Sequence, residues 1–244
     1  MLQSSLLFDI LYYETLPSSN DEAIRLASSG APEKTVVVCR EQTAGRGQRE
    51  NCWESAPGDN LTVSLILRPV GMTADELFIL SKAFSVAVVG TLNRYGIEAA
   101  IKWPNDIYVE TRKIAGILIE HSFLGNNLVF SVIGLGLNVN QTVFPPMNIV
   151  PTSIAAETGK GCYDTNEILS SVLESFYSLY KSDKTLIHSK YMEKLYRRKG
   201  YFQYRTKNSK TLIAEIHNVA NSGELVLKDK NDKYHSFLFK EIAF

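Results

Sequence analysis

The residues best suited to chemistry stand in four short segments. Lys102-Trp103-Pro104-Asn105-Asp106 sets a cation, an amide and a carboxylate together at the end of an apolar run, Ala99-Ala100-Ile101. Such groups are costly to bury unless paired or hydrogen-bonded. Asn-Asp alone is ordinary turn chemistry, and strand alternation could also place Lys102 on a solvent face. Gly45-Arg46-Gly47-Gln48-Arg49-Glu50 is neither a P-loop, because no Gly-Lys-Ser/Thr follows, nor a dinucleotide fingerprint, because Glu50 stands where a third glycine belongs. What remains is a loop whose backbone can approach an anion and whose guanidinium groups offer planar donor arrays; a solvated connector has the same composition. Lys113-Ile114-Ala115-Gly116-Ile117-Leu118-Ile119-Glu120 and Gly134-Leu135-Gly136-Leu137-Asn138-Val139-Asn140 are apolar strands interrupted by glycine. Glycine weakens a strand, so the pair at 134 and 136 asks for a reason, such as a flat wall against a bound molecule; a bulge would account for one of them.

The elements that must position these residues follow from periodicity. Strands are expected at Leu6–Tyr13, Thr35–Arg40, Leu61–Leu67, Glu98–Trp103, Ile107–Val109, Lys113–His121 and Leu128–Val139. Ser19-Asn20-Asp21-Glu22 resembles a capping box opening a helix through Ser28, and Ala74–Arg94 has apolar residues at helical spacing before Gly96. Gln141–Pro151 reads as loop, and helices are expected at Ser153–Thr158, Thr165–Tyr180 and Leu186–Tyr196. After Gly200 the pattern shortens to three strands, Leu212–Val219, Glu224–Lys228 and Tyr234–Phe239, too small a unit to be stable alone.

The 244 residues are 45% hydrophobic and 21% charged, ordinary values for a globular chain. Twenty-six basic and twenty-six acidic side chains balance, which argues against a general affinity for nucleic acid or anionic membranes. The balance is uneven: residues 1–183 carry −7 and residues 184–244 carry +7, which marks a distinct C-terminal segment. No run of apolar residues is long enough to span a bilayer, and the N-terminus lacks the features of a signal peptide. Cys39, Cys52 and Cys162 fit a reducing cytoplasm and form no zinc motif. No metal ligands are assigned. A homodimer is compatible with the sequence, which carries no marker of oligomeric state.

The order of the motifs is more specific than any one of them. Ser18-Ser19-Asn20, Gln42-Thr43-Ala44-Gly45-Arg46-Gly47, Trp53, Lys102–Asp106, Lys113–Glu120 and Gly134–Asn138 together resemble the biotin protein ligases over about residues 10 to 140. The resemblance implies an α+β fold: a mixed, mostly antiparallel sheet backed by helices, as in class II aminoacyl-tRNA synthetases, over residues 1–199, then an SH3-like barrel over 200–244. It implies biotin and MgATP as substrates, a biotinyl-5′-adenylate intermediate, and transfer to a lysine of a biotin carboxyl carrier protein domain. Ser18, Ser19, Asn20 and Gln42 would meet the ureido ring, with Gly45, Gly47, Gln48 and Gly116 also around biotin; Ser19 would then have to serve both ring and helix cap. Arg46 and Lys113 would hold carboxylate and phosphate, and Lys102 would stabilise charge at the reacting centre. Arg49, Trp53, Asn60, Asn105 and Asn138 would meet the nucleotide, with Asp106 a candidate to deprotonate the incoming lysine. The Gly45–Asn51 loop is expected to close over the adenylate. Several relatives carry arginine at the position of Gln48 and glycine at that of Glu50, which leaves more of the grip to Arg46 and Arg49.

The resemblance also implies a monofunctional ligase, with no DNA-binding domain ahead of the first strand. Lipoate or octanoate ligases and transferases of the same fold, and a non-catalytic biotin-binding module, are the competing readings. Arg197-Arg198-Lys199 reads as a solvated helix end or as a greeting surface for an acidic carrier domain.

Overall fold

The computed structural model describes residues 8–48 and 51–244. Strand β1 (Asp9–Leu16) leads through helix α1 (Ser19–Ser28) to β2 (Thr35–Gln42), and β1 and β2 pair in parallel. Strand β3 (Leu61–Leu67) follows, then a 3-10 turn (Ala74–Glu76), helix α2 (Phe78–Arg94), and strands β4 (Ala99–Lys102), β5 (Asp106–Val109), β6 (Arg112–Leu124) and β7 (Asn127–Leu137). These make one seven-stranded sheet in the order β1-β2-β3-β7-β6-β5-β4, antiparallel except at β1–β2. Helices α3 (Ile154–Thr158), α4 (Thr165–Tyr180) and α5 (Lys184–Glu193) come next.

Both faces of the sheet are covered, so β3 is buried at every residue. On one face Ala23 and Ala27 of α1 pack on Val37, Ile66, Phe130 and Val132. On the other, Val63, Leu65, Ile133 and Leu135 join Phe84 and Val88 of α2 and Val172 and Phe176 of α4 in the main core. The expected helix Ala74–Arg94 breaks at its start, because Thr73 and Glu76 cap a separate 3-10 turn before α2 begins.

The second sheet holds β8 (Phe202–Thr206), β9 (Thr211–Val219), β10 (Leu225–Asp229), β11 (Tyr234–Phe237) and β12 (Ile242–Ala243), ordered β11-β10-β9-β8-β12. It has five strands where the sequence pattern shows three, and its edge strands β11 and β12 are not paired with each other, so the sheet is open rather than a closed barrel. It docks on α2 and α5. The fully buried Lys82 ammonium donates to the carbonyls of Val219 (2.8 Å) and Ala220 (3.1 Å) and lies 3.1 Å from His188 Nδ1. Burial depresses Lys82 to about 8. The Trp103 indole N–H donates to Gly223 O (2.8 Å), and a Cβ on Gly223 would stand 2.8 Å from the Phe78 ring. Helix α5 ends at Glu193, ahead of the basic run, and Arg198 donates to Ile216 O (2.8 Å), tying that run to the second sheet.

Candidate active site

Strand pairing places the chemistry. Directly opposed residues share a face of a sheet, and one line crosses all seven strands: Tyr13, Cys39, Thr62, Gly136, Gly116, Asp106 and Lys102. The adjacent line carries Ser64, Gly134 and Leu118. This is the α1 face, and where α1 does not cover it a cavity of ≈ 120 Å³ opens. Ser18, Ser19, Asn20, Gln42, Arg46, Gly47, Gln48, Trp53, Asn105, Asp106, Lys113 and Gly116 all line it. A second chamber of ≈ 370 Å³ shares Trp53, Lys113 and Ile149 with the first and adds Asn138, Phe144 and Met147.

At the start of α1 the cap is Ser18, whose hydroxyl accepts from Asp21 N–H (3.4 Å), not Ser19. Glu22 is taken up by Arg25 and Tyr13, so the expected capping box does not form. Ser19 is thereby released: its N–H donates to Gln42 Oε1 (2.7 Å) and its hydroxyl lies 2.8 Å from Ser64 Oγ. Asn20 Nδ2 donates to Glu120 Oε2 (2.9 Å) and toward Leu118 O (3.4 Å), while Asn20 Oδ1 accepts from Ser64 (2.6 Å).

The strand glycines have a different cause from the expected wall against a bound molecule. A Cβ at Gly134 would lie 2.2 Å from Asn20 Oδ1, and one at Gly136 would lie 2.2 Å from the Trp53 ring. The protein's own side chains occupy the space. The Trp53 ring covers Gly136 and reaches Gly116, and its buried indole N–H has no partner among the described residues.

Two of the three cations, Arg46 and Lys113, are paired with carboxylates. Arg46 pairs with Asp21 and with Glu120 (2.5 Å); burial opposes its charge, but the two carboxylates outweigh burial and raise its pKa. Lys113 reaches over Gly116 to Asp106 Oδ1 (2.7 Å), and the proline-rich loop pins its backbone through Lys113 N–H to Val150 O and Thr152 N–H to Lys113 O, both 2.9 Å. Lys102 sits at the end of the cross-strand line, outside the cavity lining, with its ammonium 4.2 Å from the Tyr108 ring and 3.1 Å from its hydroxyl. Burial lowers the Lys102 pKa, with Asp106 opposing.

Other expected residues fall elsewhere. Asn60 is buried away from the cavity, where it donates to Gln141 Oε1 (2.6 Å) and accepts from Val139 N–H (2.9 Å), so it ties the segment before β3 to the one after β7. Asn138 donates to Thr152 O (2.8 Å) and belongs to the second chamber; Asn105 donates to Ile117 O (2.8 Å). Gly45 meets the Trp53 carbonyl too closely to carry a side chain, and Arg49 and Glu50 lie outside the described residues. Sequence reasoning assigned no role to Ser64, Glu120 or Asp21. The signal for Ser64 was its alternation with Thr62 in an otherwise apolar strand. Among the described residues no cluster of three His, Cys, Asp or Glu could hold a metal.

Comparison with known proteins agrees with this arrangement. The Biotin/lipoate A/B protein ligase family model matches residues 13–138. The bifunctional ligase/repressor BirA of Bacillus subtilis (strain 168) is 36% identical over 180 residues, 72% of this chain and 55% of that protein. The biotin–[acetyl-CoA-carboxylase] ligase of Paracoccus denitrificans is 33% identical over 165 residues, 65% of this chain and 68% of that protein. The chain thus spans about half the length of its Bacillus relative. The solved Aquifex aeolicus biotin protein ligase in complex with biotin and ATP has the same fold, with a TM-score of 0.78 at 22% identity over 96% of this chain and 97% of that one. The matched stretch holds every residue of the cross-strand line from Tyr13 to Lys102, and with it the chain belongs to the Biotin/lipoate A/B protein ligase family.

Proposed function

We propose that this protein is an ATP-dependent biotin–protein ligase. A carboxylate oxygen of biotin attacks the α-phosphorus of MgATP and pyrophosphate leaves; the amine of an acceptor lysine then attacks the acyl carbon, AMP leaves, and the amine loses a proton. The observation that carries the reading is the division of one cavity between neutral hydrogen-bonding groups at α1 and cations set against carboxylates along the sheet.

A small polar ring in an apolar setting needs every partner satisfied. Ser18, Ser19 and Gln42 supply partners beside the apolar Leu118. Two anions must then be brought together, and preorganised positive groups lower that cost. Arg46 and Lys113 stand on the cavity, with Lys102 behind Asp106. Arriving carboxylate and phosphate oxygens would take the places of Asp21, Glu120 and Asp106 as partners. Magnesium carried by nucleotide phosphates needs few protein oxygens, and Asp106, freed by Lys113, is a suitable one. The second chamber, with Trp53, Phe144 and Met147, suits a nucleobase, and the Gly45–Asn51 segment would shield the adenylate from water.

Residues 200–244 are read as a small SH3-like unit docked on a catalytic part, 1–199. The acceptor would be a biotin carboxyl carrier protein domain, and the three free cysteines fit a cytoplasmic setting. Biotin-dependent exchange of labelled pyrophosphate into ATP, followed by mass spectrometry of a carrier domain incubated with biotin and ATP, tests the reading. Exchange that depends on lipoate instead of biotin would overturn it.

A further inference from the structure

One wall of the second chamber has no ladder of its own. Between β7 and α3 the chain forms no regular helix or strand, yet it supplies Phe144, Met147, Ile149 and Pro151 to that chamber. Ordering such a segment costs conformational entropy at each residue, so its anchors decide how much of the time the wall stands. One stitch fixes its far end to the site. Lys113 N–H donates to Val150 O and Thr152 N–H to Lys113 O, both 2.9 Å, while Asn138 Nδ2 donates to Thr152 O (2.8 Å). The loop, Lys113 and Asn138 thus converge on Thr152, which is 3% exposed. The Thr152 hydroxyl in turn donates to Glu157 Oε1, and Glu157 Oε2 accepts from Nη2 of Arg112 (3.1 Å), the residue before Lys113. Arg112, Lys113, Thr152 and Glu157 so close a ring through one peptide link, one backbone bond and two charge-assisted bonds. Glu157 lines neither chamber of the site and opens instead on a separate cavity. Its side chain is 11% exposed, against 38% for Arg112, which also meets Glu110 (3.3 Å). Its backbone is firmly placed: Ser153 caps α3 through Ala156 N–H (3.1 Å), and Ile154 and Ala155 donate to Asn138 O (3.2 Å) and Val139 O (2.8 Å).

We infer, resting on the ligase reading, that Glu157 is a positioning residue for the nucleotide: through Thr152 it holds the loop wall against Lys113 and Asn138, and so raises the fraction of molecules whose nucleotide chamber is formed. Where only part of a population can bind, apparent affinity falls with that fraction. Loss of the strut therefore weakens ATP. It spares biotin, because Ser18, Ser19 and Gln42 stand at the start of α1 and Lys113 keeps its place opposite Tyr108 in the sheet.

Biotin-dependent pyrophosphate exchange and calorimetry separate the two substrates. Glu157→Ala should raise KM for ATP roughly tenfold with kcat little altered, while calorimetric titration finds biotin affinity unchanged. Thr152→Val keeps the shape and removes the hydroxyl; it should show the same shift, and it carries the test should Glu157→Ala fail to fold. The double variant should be no worse than either single one, since all three break one contact. Glu157→Gln should stay close to wild type, because its amide oxygen can accept from Arg112 while its NH2 donates to the Thr152 hydroxyl, which accepts as well as donates. A lowered melting temperature with both substrates weakened alike would mark a merely structural residue and overturn the positioning role. An unchanged KM for ATP in folded Thr152→Val and Glu157→Ala would overturn it too, with the ligase reading left intact. A wild type that exchanges no pyrophosphate when biotin is present would instead overturn the ligase reading, and the nucleotide role of Glu157 with it.

Discussion

Gly134→Ala should destabilise the protein and disable ring recognition, whereas Gly136→Ala should spare ring recognition. A methyl at 134 would lie 2.2 Å from Asn20 Oδ1 and 2.9 Å from its Cγ. Asn20 is 4% exposed and bonded at both ends, to Ser64 and to Glu120, so it cannot yield without breaking a bond. Overpacking costs about 1–3 kcal/mol, and leaving a buried amide or hydroxyl unpaired costs about 1–3 kcal/mol more. Replacing a strand glycine returns about 0.5–1 kcal/mol. The net loss is about 2–4 kcal/mol, which at this chain length lowers the melting temperature by roughly 5–15 °C. At 136 the methyl meets the Trp53 ring instead, so that variant should lose nucleotide affinity and keep biotin affinity. Thermal unfolding and calorimetric titration with biotin and with ATP read both effects. A Gly134→Ala protein melting within about 1 °C of wild type, with unaltered biotin affinity, would refute the packing argument.

Lys82 gives a pH signature. Its folded pKa, about 8, lies below the ordinary lysine value of 10.5, so the unfolded chain binds the extra proton between those values and stability should rise with pH across that window. Lys82→Met should flatten the rise in chemical-denaturation series run between those two values; an identical slope would count against the assignment to Lys82. Trp103→Phe removes the buried donor to Gly223 O and should cost about 1–3 kcal/mol, read as a lowered denaturation midpoint with unchanged m-value. A midpoint matching wild type would show the two sheets to be joined by other contacts. Arg46→Ala removes the partner of both Asp21 and Glu120, and should release free biotinyl-adenylate during turnover; chromatographic detection of equal retention would refute the clamp role of Arg46.

The main sheet was readable because each strand carries its own evidence. Thr35–Gln42 is β-branched, Leu61–Leu67 is apolar nearly throughout, and Asn127–Leu137 continues to the end of a recognisable apolar run. Helix α4 also matches its expected bounds, since its apolar spacing and its cap at Asp164 agree. The second sheet was harder. Strand β8 is five residues long with one fully buried position, Tyr204, and β12 has two residues, too short for a period to show. Their pairing with β9 and with each other, not their composition, makes them strands.

Residue types and motif order were enough to single out Arg46, Lys102, Lys113 and the α1 start, because charge, amide and glycine inside apolar runs are conspicuous wherever they fall in space. Assembly was not legible in the chain. That Lys102, Asp106, Gly116, Gly136 and Thr62 share one line depends on strand registers, the last of them between segments far apart in sequence, and a shift of one residue would turn each strand's contribution to the other face. The partners of the cations, the transfer of the helix cap from Ser19 to Ser18, and the filling of the strand glycines by Asn20 and Trp53 are likewise set by close approach in three dimensions.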